Sequence, residues 1–556
     1  MKLKLGGHRR QASLALSALT LALGWGVAMP PALSAERVTL RVGPFEQTIA
    51  LADLERFAKT GKLPAALKLY APLLTPQVRE VLNSRVQLDP NAADKVIDDL
   101  LGSSTGKVLI ESLGLALPSS TIEQLQAAVA LGLGQANGLS VVDLLRAYPE
   151  ENITVDASSA IALALQFNPT YLQSRTLGHL LESELAVASN TPFNPGFDPS
   201  VRGSQTVQQQ TLFLQDRQRH RTIPLDLYWG KGLQPKTFKQ QPLVVISHGF
   251  GANRKSFAYL ARHLASHGIT VVALEHPSSN ISWQASVSTL SNPGELLPAT
   301  EFIDRPKDVS FVLDELAKLN QQPGLLQGKL STQQVSVIGH SLGGYTALAL
   351  AGAELDLEEL RQFCKSDFGI GQAPGEWLQC AAADLPDRKL ELRDKRVASA
   401  IALNPLVGNL FGKTGLTQVA IPVLLVAGTE DAVTPLINHQ LLPFTQLRGP
   451  KYLLTAIGGT HLSIGEPASL RSTATPSSLV KERRGEETKS LRNLLQGVSL
   501  AFIKQLTPEA ETYQPFLTPA YAQSFSTPQM PLRLNTELPA TIARWVQFVA
   551  ARSLAP

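Results

Sequence analysis

Cysteine is scarce in this chain, since Cys364 and Cys380 are the only two among 556 residues. A metal site would need further ligands close to them, and the surrounding sequence offers none, so we expect no metal or other cofactor. The simplest alternative is a disulfide between these two cysteines, which lie 16 positions apart. In an oxidising compartment such a bridge contributes about 3 kcal/mol to stability in the loop-entropy model.

Charge is absent from residues 12–28, an apolar run of 17 that follows a basic segment, MKLKLGGHRR. Small residues then lead to Ala35. This order is typical of a secretory signal peptide over residues 1–35, and it predicts an exported protein, periplasmic or secreted, cleaved after Ala35. The alternative is an uncleaved membrane anchor, because about 17 residues is the lower limit for a membrane span.

The rest of the chain also lacks a net charge. The formal net charge is +4, and residues 1–35 contain four basic residues and no acid. The mature chain therefore has 46 basic and 46 acidic residues, which gives no reason to expect a nucleic-acid partner. With 44% hydrophobic and 17% charged residues, the chain is typical of a globular protein with more than one domain.

Residues 36–187 have apolar side chains at helical spacing, for example Leu54, Phe57 and Ala58. Short segments of this kind, separated by Gly and Pro, predict a small all-helical N-terminal domain with a structural or lid-like role. Residues 188–205 are rich in Pro, Gly, Asn and Ser, and this composition predicts a linker.

Short, nearly continuous apolar runs begin after residue 206, with helical patterns between several of them. Strands that are apolar on both faces and alternate with helices predict a mostly parallel sheet covered by helices on both sides. This second domain is predicted to span residues 206–556, and its functional residues should gather at the carboxyl ends of the strands. The apolar runs are residues 243–247, 270–276, 334–340, 397–405, 422–428 and 451–459.

One of these runs leads directly to GHSLG, which places Ser341 between Gly339 and Gly343. Small residues are needed there because the turn from strand to helix is sharp, and such a turn exposes the serine oxygen above the sheet. The alternative is that Ser341 is only a small residue in a tight turn. We interpret it as a nucleophile because later strands supply a base and an acid.

A serine hydroxyl is a weak nucleophile and needs a base, which His461 supplies after the run at 451–459. The base in turn needs an acid to hold its tautomer and orientation, and Asp431 follows the preceding run. Glu430 is a rival for this role. The Gly-x-x-Asp step after the strand favours Asp431.

Acyl transfer also needs preorganised N–H donors for the oxyanion. The backbone of Leu342 should supply one donor, and the loop after LVVIS should supply the other. Gly249 and Gly251 let this loop turn close to the site, and the Phe250 N–H is its best donor. His248 is predicted to order the loop.

Other histidines and charged residues have structural interpretations. His340 is predicted to be buried packing beside the nucleophile, and His276 either lines the pocket or is a satisfied structural histidine. Asp304, Arg305 and Asp308 open a helix, so capping and surface pairing are their expected roles.

With these residues in place, the chain resembles the α/β-hydrolase superfamily, whose members carry nucleophile, acid and base in this chain order. Within the superfamily it looks like platelet-activating-factor acetylhydrolases and dienelactone-hydrolase-like proteins. The stretches that carry the likeness are LVVISHGFGANRKSFAYLARHLASHGITVVALEHPSSN and VIGHSLGGYTAL. The region ahead of them resembles a helical domain of unknown function that precedes such hydrolases in cyanobacterial exported proteins.

One position departs from the acetylhydrolases, which carry their acid after the strand that follows the nucleophile helix. Asn404 occupies that place here, and an amide cannot supply the charge that stabilises an imidazolium. The acid role therefore falls to Asp431. A dienelactone hydrolase would use cysteine as its nucleophile, whereas this chain has Ser341.

The resemblance implies a serine hydrolase of carboxylic esters, including lipid or phospholipid acyl esters, with membrane contact through a lipid substrate. An acyltransferase with the same triad is one alternative, and a non-catalytic binding module on a hydrolase scaffold is another. Two insertions, residues 353–396 and 466–535, are predicted to cap the pocket. The first contains the cysteine pair and Trp377.

Overall fold

The computed structural model describes most of the chain between residues 35 and 553. The described residues are 35–42, 45–65, 67, 79, 82–83, 85–86, 114, 116–125, 139–148, 150–156, 169–188, 196–231, 241–287, 297–365, 373–386, 390–466 and 482–553. The predicted signal peptide, apart from Ala35, lies outside the described residues. Among the described helices, none is long and apolar enough to cross a membrane.

The chain divides into two compact units, residues 1–160 and 161–556. The described elements of the first unit are β1 (Arg37–Val42), β2 (Phe45–Ala50), α1 (Leu51–Thr60), β3 (Arg85–Val86), β4 (Leu139–Ser140), α2 (Val141–Arg146) and β5 (Asn152–Asp156). Strand β1 is the centre of a three-stranded sheet, because it pairs antiparallel with β2 and parallel with β5. Strands β3 and β4 form a second, two-stranded pair.

This small sheet corrects the prediction that the N-terminal region is all helical. Val38 on β1 stands opposite Ile49 on β2 and Ile153 on β5, and all three side chains are buried. β-branched residues pack well as a row on one face of a sheet, and that packing favours strands here. The predicted apolar face of α1 is confirmed, since Leu54, Phe57 and Ala58 are buried.

The second unit is built on one nine-stranded sheet with the order β14-β13-β12-β11-β10-β8-β9-β7-β6. Its strands are β6 (Val207–Asp216), β7 (Arg221–Gly230), β8 (Leu243–Ser247), β9 (Val271–Leu274), β10 (Val335–His340), β11 (Val397–Leu403), β12 (Val423–Gly428), β13 (Lys451–Ala456) and β14 (Leu532–Asn535). The six strands β8 to β13 are parallel, whereas β6, β7 and β14 extend the two ends with antiparallel pairing. The predicted mostly parallel sheet is therefore confirmed.

Helices cover both faces of this sheet. The helices described in this unit are α3 (Pro169–Glu184), α4 (Ala258–Ser266), α5 (Ile281–Val287), α6 (Glu301–Gln321), α7 (Leu342–Ala351), α8 (Leu357–Lys365), α9 (Pro374–Cys380), α10 (Leu442–Gln446), α11 (Lys489–Lys504), α12 (Ala510–Tyr513), α13 (Pro519–Ser524) and α14 (Ala540–Ser553). On β8, Val245 joins a hydrophobic core with α6 and α7, while Val244 and Ile246 join another with α4 and α11. Strands with two buried faces explain the continuous apolar runs in the sequence.

Helix α3 belongs to the second unit, whereas the sequence predicts an N-terminal domain that extends to residue 187. Leu177 and Leu181 of this helix are buried in one core with Leu425 of β12. The compact first unit thus ends before the predicted linker at residues 188–205.

Helix α11 differs from the predicted cap over residues 466–535. Leu491, Leu494 and Val498 recur at helical spacing and are buried in the core beneath the sheet. The charged stretch KERRGEETK, which favours an exposed helix, lies mostly before α11 begins at Lys489. Strand β14 also joins the sheet, so residues 482–535 are part of the fold, and residues 467–481 lie outside the described ones.

The predicted disulfide between Cys364 and Cys380 is confirmed, with the two Cα atoms 5.7 Å apart. It joins α8 to α9 within the other insertion, residues 353–396. Trp377, also on α9, is 38% exposed.

Candidate active site

The residues predicted to carry chemistry all lie where parallel strands end. Ser341 follows β10, Asp431 follows β12, and His461 follows β13. His248 begins the loop after β8, which we call the oxyanion loop and define as residues 248–251. The carboxyl ends of parallel strands meet at one edge of a sheet, which is where such a fold builds its sites.

The turn that carries Ser341 is strained. Ser341 has φ 54° and ψ −117°, a conformation that residues with a side chain rarely adopt. The turn is also so tight that a Cβ at Gly339 would lie 1.8 Å from the Gly343 carbonyl oxygen. A Cβ at Gly343 would lie 2.1 Å from the Ser247 carbonyl oxygen. Both glycines of GHSLG are therefore required by sterics, and the turn matches the geometry expected of a nucleophile.

Asp431 contacts the ring of His461 directly. The Nδ1–H of His461 donates to Asp431 Oδ2 at 2.7 Å, and the Asp431 side chain is fully buried. Asp431 also accepts hydrogen bonds from the N–H groups of Val433 (2.9 Å) and Thr434 (2.8 Å). This arrangement holds the carboxylate in one orientation and fixes the tautomer of His461 that leaves Nε2 free to accept a proton.

Charges near His461 favour its protonated form. Burial lowers the pKa of His461, but the charge and hydrogen bond of Asp431, together with the charge of Glu482, raise it above the ordinary value. Glu482 accepts from the Leu462 N–H at 2.9 Å, and burial raises the pKa of this carboxyl to about 7. Glu482 was not anticipated, because it lies in a charged stretch without any motif.

Asn404 supports the backbone beside the base instead of its ring. Its Nδ2 donates to the carbonyl oxygen of His461 at 3.1 Å. Glu430, the rival for the acid role, forms an ion pair with Arg483 at 3.7 Å. Of the three side chains weighed as the acid, Asp431 is the one with a hydrogen bond to the imidazole.

The oxyanion loop lies against the nucleophile. A Cβ at Gly249 would lie only 3.2 Å from the Cβ of Ser341. Gly251 adopts φ +66°, in the left-handed region that glycine tolerates. Within the described part of the chain, the backbone N–H groups of Phe250 and Leu342 have no hydrogen-bond acceptor. Two free donors beside the serine are what an oxyanion requires.

His248 ties the oxyanion loop to the neighbouring strand. Its Nδ1–H donates to the Gly249 carbonyl oxygen at 2.7 Å, and its Nε2 accepts from the His276 N–H at 3.0 Å. Burial lowers the pKa of His248 well below the usual value, so the ring is neutral, as this pattern of one donor and one acceptor needs. The ring of His340 is buried beside that of His461, with centroids 4.7 Å apart.

Contrary to the prediction, two charged residues at the start of α6 do not lie at the surface. Arg305 and Asp308 were expected to cap the helix and pair at the surface, yet both side chains are fully buried. His276 is fully buried as well, and its Nδ1 donates to Asp308 Oδ2 at 2.9 Å. Because the partners come from distant segments of the chain, helical spacing alone gave no indication of this cluster.

Two family models match parts of this chain. Residues 34–156 match a family described as an alpha/beta hydrolase of unknown function (DUF1400), and residues 242–389 match the alpha/beta hydrolase fold family. The first match coincides with the first compact unit, and the second lies within the unit that contains the candidate site.

Several curated proteins are similar to part of this chain. Platelet-activating factor acetylhydrolase of Cavia porcellus is 31% identical over 23% of this chain and 35% of its own length. The same enzyme of Canis lupus familiaris is 29% identical over 22% of this chain and 33% of its own length. Cutinase 1 of Thermobifida cellulosilytica is 25% identical over 21% of this chain and 36% of its own length. The chain thus spans about a third of the length of these relatives.

Proposed function

Because this chain belongs to the α/β-hydrolase superfamily, we propose that it hydrolyses carboxylic esters, with Ser341, His461 and Asp431 as its catalytic triad. The single observation that carries the proposal is the 2.7 Å bond from His461 Nδ1 to Asp431 Oδ2, at the same sheet edge as the strained serine turn. Relatives named platelet-activating factor acetylhydrolase and cutinase support an ester as the substrate.

The reaction begins when Ser341 Oγ attacks the carbonyl carbon of the ester and its proton passes to Nε2 of His461. Asp431 stabilises the imidazolium that forms. The tetrahedral intermediate then collapses, and His461 returns the proton to the leaving alcohol oxygen. Water, deprotonated in turn by His461, attacks the acyl-enzyme and releases the carboxylic acid and free Ser341.

The N–H groups of Phe250 and Leu342 hold the oxyanion in both tetrahedral intermediates. Each is already oriented by the folded backbone, so no reorganisation is needed when the negative charge develops. Loss of one such donor typically lowers kcat by about 10²- to 10³-fold. The chemistry requires no cofactor, because nucleophile, base and donors all belong to the chain.

The substrate proposed for this site is a small ester or a lipid, including phospholipid acyl esters, with membrane contact through the lipid. We further propose that the protein is exported after cleavage at Ala35. A disulfide between Cys364 and Cys380 supports this location, because such bonds persist in oxidising compartments.

The test uses residues 36–556 with p-nitrophenyl esters from acetyl to long-chain acyl groups, together with a phospholipid. Ser341→Ala should abolish turnover and labelling by a fluorophosphonate probe. Ser336→Ala is the matched control, because Ser336 lies on the same strand and bonds to Ser399 at 2.8 Å, and this variant should stay active. Labelling and turnover that persist in Ser341→Ala would overturn the mechanism. A competing alcohol in the assay separates hydrolysis from acyl transfer by its products.

A further inference from the structure

Seven polar side chains form a closed circuit of hydrogen bonds behind the oxyanion loop. We call it the buried polar ring and define it as Arg221, Ser247, His276, Ser279, Glu301, Arg305 and Asp308. Six of these residues are 0% exposed, and the side chain of the seventh, Arg221, is 10% exposed. None of the seven has a part in the acyl-transfer steps.

One half of the ring has the connectivity of a second Ser–His–Asp relay. Ser247 Oγ donates to His276 Nε2 at 2.9 Å, and His276 Nδ1 donates to Asp308 Oδ2 at 2.9 Å. Arg305 Nη2 closes this half by donating to Ser247 Oγ at 3.3 Å. All four side chains are fully buried, so no ester can reach Ser247, and the relay has a structural role.

The other half of the ring returns from Asp308 to Arg305. Arg221 Nη2 donates to Asp308 Oδ2 and to Glu301 Oε1, each at 2.9 Å. Ser279 Oγ donates to Glu301 and accepts from Arg305 Nη1 at 2.7 Å. Within the ring two guanidinium groups pair with two carboxylates, and Arg219 from outside it also lies 2.8 Å from Asp308. These attractions and the hydrogen bonds around them offset part of the cost of burying the charges.

The ring holds the backbone on both sides of Phe250. Arg305 Nη2 donates to the carbonyl oxygen of His248. The carbonyl oxygen of Ser279 accepts from the Gly251 N–H at 2.9 Å. The Phe250 N–H lies between these two fixed points and is itself free of an intramolecular acceptor among the described residues.

The same residues also touch the nucleophile helix α7. Arg305 Nε donates to Thr346 Oγ1 at 3.3 Å. The Ser247 carbonyl oxygen lies so close to Gly343 that no side chain fits there. The ring is therefore in contact with both elements that supply oxyanion donors.

We propose that Arg305 and the buried polar ring position the Phe250 N–H relative to Ser341, and so set the strength of the oxyanion hole. The inference rests on the proposed ester hydrolysis and deepens it by naming the residues that preorganise one donor. Arg305 is a positioning residue, because it acts through the backbone of His248 and does not touch the substrate. Preorganisation matters because a displacement of about 1 Å can lower the rate by about 10²-fold.

Arg305→Lys is the first test. Lysine keeps the positive charge but lacks the planar fork that serves Ser247, Ser279 and the His248 carbonyl together. We expect kcat to fall by about 10- to 100-fold while KM changes by less than about threefold. A trifluoromethyl ketone forms a serine adduct that carries an oxyanion. Its inhibition constant should rise by the same factor by which kcat/KM falls.

Arg396→Lys is the matched control. Arg396 also joins carboxylates on and near α6, with Nη2 2.6 Å from Asp394 and Nη1 2.6 Å from Asp314, but it contacts no part of the oxyanion loop. This variant should keep the wild-type kcat and inhibition constant. Thermal unfolding of both variants separates lost stability from lost catalysis.

Ser247→Ala keeps the test decisive if Arg305→Lys does not fold. It removes only the hydroxyl between Arg305 and His276, and kcat should fall about tenfold with a parallel loss of inhibitor affinity. Rates are expressed per active site, titrated with the fluorophosphonate probe. An unchanged kcat and inhibition constant in the folded variant would overturn the inference. Failure of the proposed function is a different result, since the wild type would then neither label nor turn over.

Discussion

Asn404 and Asp431 stand at the ends of adjacent strands, β11 and β12, and both reach the segment that carries His461. Asn404 donates to the backbone carbonyl of His461 at 3.1 Å, whereas Asp431 accepts from the imidazole at 2.7 Å. Only the carboxylate has a negative charge that can stabilise a protonated ring. One side chain therefore holds the loop, and the other holds and polarises the base.

Asp431→Asn should remove most of the catalytic power. We expect kcat for an ester to fall about 10⁴-fold, because the base loses both its tautomer and its counter-charge. His461 must be neutral to accept a proton, and Asp431 raises its pKa, so the acidic limb of the residual kcat/KM profile should move to lower pH. The measurement is the pH dependence of ester turnover by the variant and the wild type.

Asn404→Ala is the control for this assignment. It removes two neutral hydrogen bonds to the backbone, each contributing about 1 kcal/mol to stability, and leaves the charge beside the base in place. We therefore expect kcat to fall by less than about tenfold. Equal losses in the two variants would contradict Asp431 as the acid.

At this scale, local patterns predict some residues and not others. Ser341 lies within a five-residue motif whose glycines are required by sterics, and Asp431 and His461 each follow an apolar strand. Arg305 and its partner Ser247 are 58 positions apart, and nothing near either residue in the sequence indicates the contact. Such a network becomes visible only when the sheet has brought the segments together.

Among the elements, the strand–turn–helix unit of β10 and α7 is the one that the sequence predicts well. The sequence does not predict strands β1 and β5 of the first unit, because they are short and lie more than 100 positions apart in the chain. Each is stabilised as a strand by its partner, through the row of Val38 and Ile153. The helical spacing of apolar residues between them therefore predicts helices alone for this region.

Helix α9 offers a test at the scale of elements. The disulfide joins it to α8, and its residue Gly375 donates to the Val433 carbonyl oxygen at 2.8 Å, two residues beyond Asp431. Reduction should lower the free energy of unfolding by about 3 kcal/mol, because the 16-residue loop is no longer closed in the unfolded chain. The measurement is the urea midpoint of the oxidised and reduced protein.

A Cys364→Ala/Cys380→Ala protein is the control for the reductant. Its midpoint should match that of the reduced wild type and should not respond to reductant. A wild-type midpoint that stays constant on reduction would contradict a stabilising role for the bridge.

At the scale of the whole molecule, the residues of the proposed site all belong to one of the two compact units. Every residue assigned to the triad, the oxyanion loop and the buried polar ring lies in the second unit, residues 161–556. The first unit coincides with a family match of its own at residues 34–156. Composition and apolar runs predicted two domains, but placed their boundary too late, because α3 has a helical pattern like that of the segments before it.

A protein consisting of residues 161–556 should therefore hydrolyse a short-chain ester with the kcat and KM of residues 36–556. The physical reason is that no group in the proposed mechanism comes from the first unit. Circular dichroism and fluorophosphonate labelling establish that the shorter protein is folded, and Ser341→Ala in the same protein gives the background rate. A folded, labelled protein without turnover would contradict the assignment of the whole site to the second unit. A loss confined to long-chain or phospholipid substrates would assign the first unit the lid-like role that its sequence predicts.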